Sequence, residues 1–175
     1  MTLPMNIRVV AKTAKIGFVF ARRGIAMEAC SSYYLPRLVG YGRAMHLITT
    51  GEVVPATSSL LGGLFSEAVD AEKVLDRALE IAEDVVKNTS VVSTHVMKEL
   101  IWRGPDNSEE TQFLTSKILI DLFKGRDRDE GVNSFLQKRQ ANFEGTMEKD
   151  APRAWPWWKE VEVSVSQETK NKAKL

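Results

Sequence analysis

From Val74 to Val86 the apolar residues return every three or four positions. Val74, Ala78, Ala82 and Val85 form one row, with Leu75, Leu79 and Val86 beside it. A helix places such a row on one face, and that face calls for a partner to cover it. Asp70 is positioned to cap this helix, which is predicted to run to about Asn88. A second helix is predicted from Ser90 to about Trp102. Pro105-Asp106-Asn107-Ser108 reads as a turn, with Asp106 or Ser108 capping a third helix that carries Leu114, Ile118 and Leu122. A last helix, from about Arg128 to Gln140, is expected to bury Val132, Phe135 and Leu136. Beyond Gly145 the periodicity stops. Ala154-Trp155-Pro156-Trp157-Trp158 is expected to pack on a surface, and Ser164 to Leu175 reads as a polar tail.

The first half is less regular. Branched residues predict a strand within Asn6 to Ala11 and another from Ala14 to Phe18. Arg22-Arg23-Gly24-Ile25 reads as a loop. A helix is predicted from Ala29 to about Leu38, with Pro36 expected to break it or begin a new turn. Another is predicted from Arg43 to Thr50, and a short one from Pro55 to Leu61. Leu64 to Val69 reads as an extended link.

Composition narrows the class. With 175 residues there is material for one ordinary core, and 43% hydrophobic content argues against disorder. A net charge of +1 gives no electrostatic reason for a nucleic-acid partner. No apolar run has the length of a membrane span, and Met1 to Met5 lacks the pattern of a secretory signal. Cys30 is the single cysteine, so no intrachain disulfide can form. His46 and His95 lack metal-ligand spacing, and packing or surface roles are expected for both; no metal site is predicted.

An ordered set of motifs goes further. Ala14-Lys15-Ile16-Gly17-Phe18, Arg23-Gly24-Ile25 and Leu35-Pro36-Arg37-Leu38-Val39-Gly40 resemble the central signature of the crotonase, or enoyl-CoA hydratase/isomerase, superfamily. Thr50-Gly51-Glu52 and Gly63 to Val69 resemble the segments that follow it. Phe135 to Arg139, with Phe143 and Gly145, resemble its C-terminal helix ending. The pieces keep the family's order over roughly residues 1 to 150. The resemblance implies an α/β fold, mostly α in this chain: a truncated crotonase-type spiral with a C-terminal helical trimerisation region. Residues 1–69 correspond to the spiral remnant, 70–150 to the helical region and 151–175 to the tail. It also implies that the oxyanion loop and most of the spiral precede Met1. Asn6 stands where an aspartate is common in the family. A fragment, a truncated gene product and a degenerate copy are all compatible with this.

The family's chemistry follows from the same resemblance. Two backbone N–H groups hold the thioester carbonyl of an acyl-CoA and stabilise the enolate formed when a proton leaves C2. A carboxylate moves the proton. Of the hydratases' two glutamates, one position falls before Met1 and the other corresponds to Phe20, which carries no proton. Glu28, in Gly24-Ile25-Ala26-Met27-Glu28-Ala29, stands where peroxisomal 3,2-enoyl-CoA isomerases carry their catalytic acid. Ile25, Ala26 and Met27 are expected to give Glu28 apolar surroundings, opposed by a nearby helix start. Lys138 and Phe143 resemble positions near the CoA phosphate and adenine. Cys30 reads as a packed residue, and Arg22-Arg23 as a solvated loop.

Ala173-Lys174-Leu175 matches the small-basic-leucine peroxisomal address. The expectation is therefore an enoyl-CoA isomerase/hydratase-like protein of the peroxisome, in fatty-acyl metabolism or in fungal secondary metabolism, where the Phe20-Ala21-Arg22-Arg23-Gly24 pattern occurs among makers of toxins. Its partners would be an acyl-CoA substrate, further copies in a trimer or hexamer, and the peroxisomal import receptor. No cofactor is expected beyond the CoA of the substrate. The alternative is a catalytically impaired paralogue that acts as an assembly partner, or one without function.

Overall fold

The computed structural model describes residues 2–159 and 161. They divide into two compact units, with the division between Asp84 and Val85.

The first unit holds four short strands: β1 (Val9–Ala11), β2 (Lys15–Gly17), β3 (Val53–Pro55) and β4 (Glu67–Val69). β1 and β4 pair in parallel, with Val10 opposite Ala68. A parallel pair needs a long crossover, and helices α1 (Ser31–Val39) and α2 (Tyr41–Thr50) lie within it. β2 and β3 pair antiparallel, with Ile16 opposite Val54. The segment from Leu64 to Val69 thus contributes a strand as well as a link. Pro55 to Leu61 is not a helix: β3 ends at Pro55, and a 3-10 turn over Ser59–Leu61 follows, capped by the Ser58 hydroxyl.

Pro36 does not break α1. It sits three residues before the helix ends, so little of the hydrogen-bond ladder lies beyond it. The Arg37 side chain donates to the Tyr33 carbonyl at 2.9 Å, and Gly40 N–H returns to Pro36. Gly40, at φ 85°, then turns the chain directly into α2. Leu35 and Leu47, one from each helix, are fully buried in a core shared with Phe18, Val39, Val54 and Leu61. Complete burial of each leucine contributes about 1.5–3 kcal/mol.

Asp70 does not cap a helix with its side chain; its carboxylate meets Lys12 at 3.2 Å and Lys73 at 3.5 Å. A 3-10 turn (Ala71–Lys73) leads into α3 (Val74–Asn88). Arg77 on α3 forks onto both oxygens of Glu67 on β4, at 2.7 and 2.8 Å. The predicted apolar row is present, yet α3 buries none of its residues: Leu75 is 68% and Val86 81% exposed.

The second unit packs α4 (Val91–Arg103), α5 (Ser108–Leu122), α6 (Arg126–Gln137) and the single turn α7 (Met147–Asp150). Ser90 caps α4 and Asn107 caps α5, each through its side chain. Val92 and Val96 meet Ile118 in a second core, which Leu114 and Leu122 flank. Trp157 packs against the same core and donates its indole N–H to Arg103 O at 2.9 Å. The aromatic stretch is thus part of the packing, with Trp155, Trp157 and Trp158 meeting edge to face.

α6 reverses an expectation. Val132, Phe135 and Leu136 are not buried; Phe135 is 82% and Leu136 71% exposed. The helix turns its small and polar residues inward instead. Asp127, Gly131 and Ser134 recur at helical spacing: Asp127 binds Ser90 and Gly145, Gly131 lies under Phe143, and Ser134 is buried. Among the described residues no helix is long and apolar enough to cross a membrane.

Candidate active site

Glu28 lies on the loop between the 3-10 turn Ala21–Arg23 and α1. The loop is fixed at its start. Gly24 takes φ 67° and closes the turn, and Ile25 N–H donates to Phe20 O at 3.2 Å. Phe20, which the resemblance sets at the place of a hydratase glutamate, packs against the core and carries no proton-transfer group. Arg22 donates through Nε to Thr50 O at 2.7 Å and lies across Gly51, where an added Cβ would come within 3.0 Å of Arg22 Cγ. Arg22 therefore ties the loop to the end of α2 rather than standing free.

The expected apolar shell around Glu28 does not form from its neighbours. Ile25 is 60% exposed, Ala26 is exposed, and Met27 turns onto the core. Glu28 is exposed, and no described residue forms a hydrogen bond or ion pair with its carboxylate. Its carbonyl, by contrast, is held from α1: Ser31 N–H donates to it at 3.0 Å, and the Ser31 hydroxyl donates as well. Between them Ala29 and Cys30 both take the left-handed conformation, at φ 50° and 57°. Cys30 is exposed rather than packed, and its thiol is free. On α2, His46 Nε2 meets the Glu52 carboxylate.

Lys138 and Phe143 belong to the second unit. Lys138 ends α6 at φ 52° and is exposed. The chain then folds back along the helix. Arg139 grips Glu130 with two nitrogens, and Asn142 N–H donates to the same carboxylate at 2.7 Å. The Arg139 guanidinium, followed by the Asn142 amide, pulls the Glu130 carboxyl down to about 2. This return sets Phe143 against Gly131, on the wall of a groove of about 660 Å³ that Val96, Leu100, Ile118 and Leu122 also line. Lys138 lines neither this groove nor the smaller one of about 380 Å³ beside Phe135 and Phe143. His95 packs edge-on against Trp155 at 4.8 Å. No group of three or more His, Cys, Asp or Glu able to hold a metal is present among the described residues. Ala173, Lys174 and Leu175 lie outside the described residues.

A family model described as enoyl-CoA hydratase/isomerase matches residues 1–146, which include Glu28, Lys138 and Phe143. The chain belongs to the enoyl-CoA hydratase/isomerase family. Among curated members, the enoyl-CoA hydratase AFT3-1 of Alternaria alternata is 52% identical over 152 residues, covering 86% of this chain and 51% of its own length. The enoyl-CoA hydratase ACTT3 of the same organism is 50% identical with the same coverage. A crystal structure of an enoyl-CoA hydratase from Bacillus anthracis superposes with a TM-score of 0.72 at 30% identity, covering 81% of this chain and 55% of that one. The fold is thus that of the crotonases, as the motifs implied. The chain spans about half the length of the curated relatives it matches.

The family resemblance singled out Glu28, Lys138 and Phe143, but not the groups that hold them. Ser31 carries no signal, since a serine beside a helix start usually caps it. Glu130 and Arg139 are nine residues apart across a helix end, beyond the spacing at which helical side chains meet.

Proposed function

We propose that the protein acts on an unsaturated acyl-CoA thioester and shifts its double bond by proton transfer, with Glu28 as the acid/base. The Glu28 carboxylate takes the proton from C2 of a 3-enoyl-CoA. The electron pair left behind spreads into the thioester as a dienolate. The same carboxyl then returns the proton at C4, giving the 2-enoyl-CoA, and no atom is gained or lost. Hydratases need a second carboxylate to activate water, and Phe20 fills that place here. The dienolate requires backbone N–H donors. In the family these come from the segment of the spiral that precedes the part matched here. Lys138 and Phe143 are proposed to hold the CoA phosphate and adenine, with no further cofactor.

The observation that carries this reading is the freedom of the Glu28 carboxylate within a family match that spans it. It is exposed and, among the described residues, unengaged, while Glu52 is tied to His46 and Glu67 to Arg77. The test is the rate of 3-enoyl-CoA isomerisation by Glu28→Gln, which keeps the shape and loses the proton. A drop of about 10²-fold or more supports it, and an unchanged rate moves the chemistry elsewhere.

The proposed setting is the peroxisome, through Ala173-Lys174-Leu175, and the pathway is fatty-acyl or secondary metabolism. A second reading, an impaired paralogue that serves as an assembly partner, is favoured by the outward apolar rows of α3 and α6. Co-assembly with a full-length family member and no turnover of its own would distinguish it, whereas CoA affinity without turnover would mark a CoA-binding module without chemistry.

A further inference from the structure

We infer that Ser31 is a positioning residue for Glu28, and that it aims the carboxylate through the main chain. The inference rests on the acid/base reading of Glu28 above. Three observations carry it. Ser31 is completely buried, although its side chain is polar. A buried hydroxyl without a partner costs free energy, so its partner matters. That partner is the Glu28 carbonyl, which receives the Ser31 hydroxyl at 2.5 Å and the Ser31 N–H at 3.0 Å. The two donors fix the peptide that follows the Glu28 Cα, and with it the direction of the side chain.

The third observation is the backbone between them. Ala29 and Cys30 hold φ of 50° and 57°, a conformation that disfavours residues with a Cβ, and they do so in succession. Neither residue gains a side-chain hydrogen bond there, and the Cys30 side chain does not cap α1. Two consecutive left-handed residues persist where the surroundings over-determine them. Here the Ser31 clamp on one side and Met27, seated on the core, on the other enclose the turn. The arrangement leaves Glu28 exposed while anchoring the chain on both sides of it. A carboxylate that must reach C2 and then C4 of one bound substrate gains from such a fixed base, because small misplacements of a reacting group cost large factors in rate.

Two measurements on the 175-residue chain test this. The first needs no turnover: backbone amide order parameters of Glu28 to Ser31 in Ser31→Ala and Ser31→Thr. The inference expects Ser31→Ala to lower them at Glu28 and Ala29, with the rest of α1 unchanged, and Ser31→Thr to restore them. Values unchanged by Ser31→Ala overturn the inference, as do values lowered throughout α1. The second is isomerisation of a 3-enoyl-CoA by Ser31→Ala, Glu28→Gln and the double variant. Ser31→Ala is expected to lower kcat about tenfold or more, with KM nearly constant. In the Glu28→Gln background it is expected to cost nothing further, since Ser31 acts through Glu28. A slow Glu28→Gln beside an unaffected Ser31→Ala overturns this inference alone. A Glu28→Gln rate equal to that of the parent chain overturns the proposed function, and this inference falls with it.

Discussion

Arg139 holds Glu130 by a two-pronged ion pair, with nitrogen–oxygen distances of 2.6 and 2.7 Å. The pair folds the chain back over α6 and thereby places Phe143 against Gly131. The Glu130 carboxyl is held down to about 2, first by the Arg139 guanidinium and then by the Asn142 amide. A carboxyl lowered on folding stabilises the folded chain above its ordinary range near ~4.3, and that stabilisation fades as pH falls towards its folded value. Tm measured from pH 7 to 2 should therefore show Glu130→Gln below the parent chain at neutral pH. The gap should close between about pH 4.5 and 2. A gap independent of pH would contradict the role given to this pair. The same variant should weaken CoA binding if Phe143 contacts the adenine.

Gly63 is a second fixed point. It sits at φ 88°, and a Cβ there would come within 2.6 Å of the Leu38 carbonyl. Both the conformation and the backbone contact exclude a side chain. Gly63→Ala should lower stability by about 1–3 kcal/mol, read from urea unfolding. Gly42→Ala should be nearly neutral, because no described residue lies within 4 Å of its Cβ position. Equal effects from the two would show that the close approach at Leu38 carries no weight.

Much of this fold was legible in the sequence, and each exception has its own physical cause. The period of Leu114, Ile118 and Leu122 predicts α5, and Ile118 is buried as a helical face requires. The same reasoning fails for Phe135 and Leu136, which follow the period yet face out. Periodicity tells which residues share a face. It does not tell whether that face meets this chain or something else. Pro36 misleads because its cost depends on how much helix follows, which the residue itself does not reveal. Glu28 is visible only through the resemblance; its neighbours Ile25, Ala26 and Met27 suggest an apolar shell that the structure does not build. Ser31 leaves no trace, since its partner is a main-chain oxygen.

The outward apolar residues of the second unit bear on assembly. Phe113, Phe123, Phe135 and Leu136 are each more than half exposed. Surfaces of this kind on a folded chain mark contact sites. The proposed trimer predicts light scattering at three chain masses, and Phe135→Glu with Leu136→Lys should shift it towards monomer. A well-folded monomer of the parent chain would contradict the trimer.

Import is a separate prediction from Ala173-Lys174-Leu175. A fluorescent protein followed by residues 160–175 should gather in peroxisomes, and deletion of Leu175 should leave it diffuse. Diffuse fluorescence with the full tail would remove the peroxisomal setting without touching the chemistry.

The central claim is that Glu28 moves the proton, with a stabilised enolate as its counterpart. The chain corresponds to about half the length of its curated relatives, and the resemblance implies that the oxyanion donors belong to the other half. The loss of one such donor typically costs about 10²–10³ in rate. The direct measurement is 3-enoyl-CoA isomerisation by three proteins: the 175-residue chain, the same chain joined behind the first half of a close relative, and that fusion with Glu28→Gln. The account predicts a slow chain, a fusion faster by at least about 10²-fold, and a Glu28→Gln fusion that falls back by a similar factor. Turnover by the chain alone near the rate of the fusion, or a Glu28→Gln fusion as fast as its parent, would contradict it.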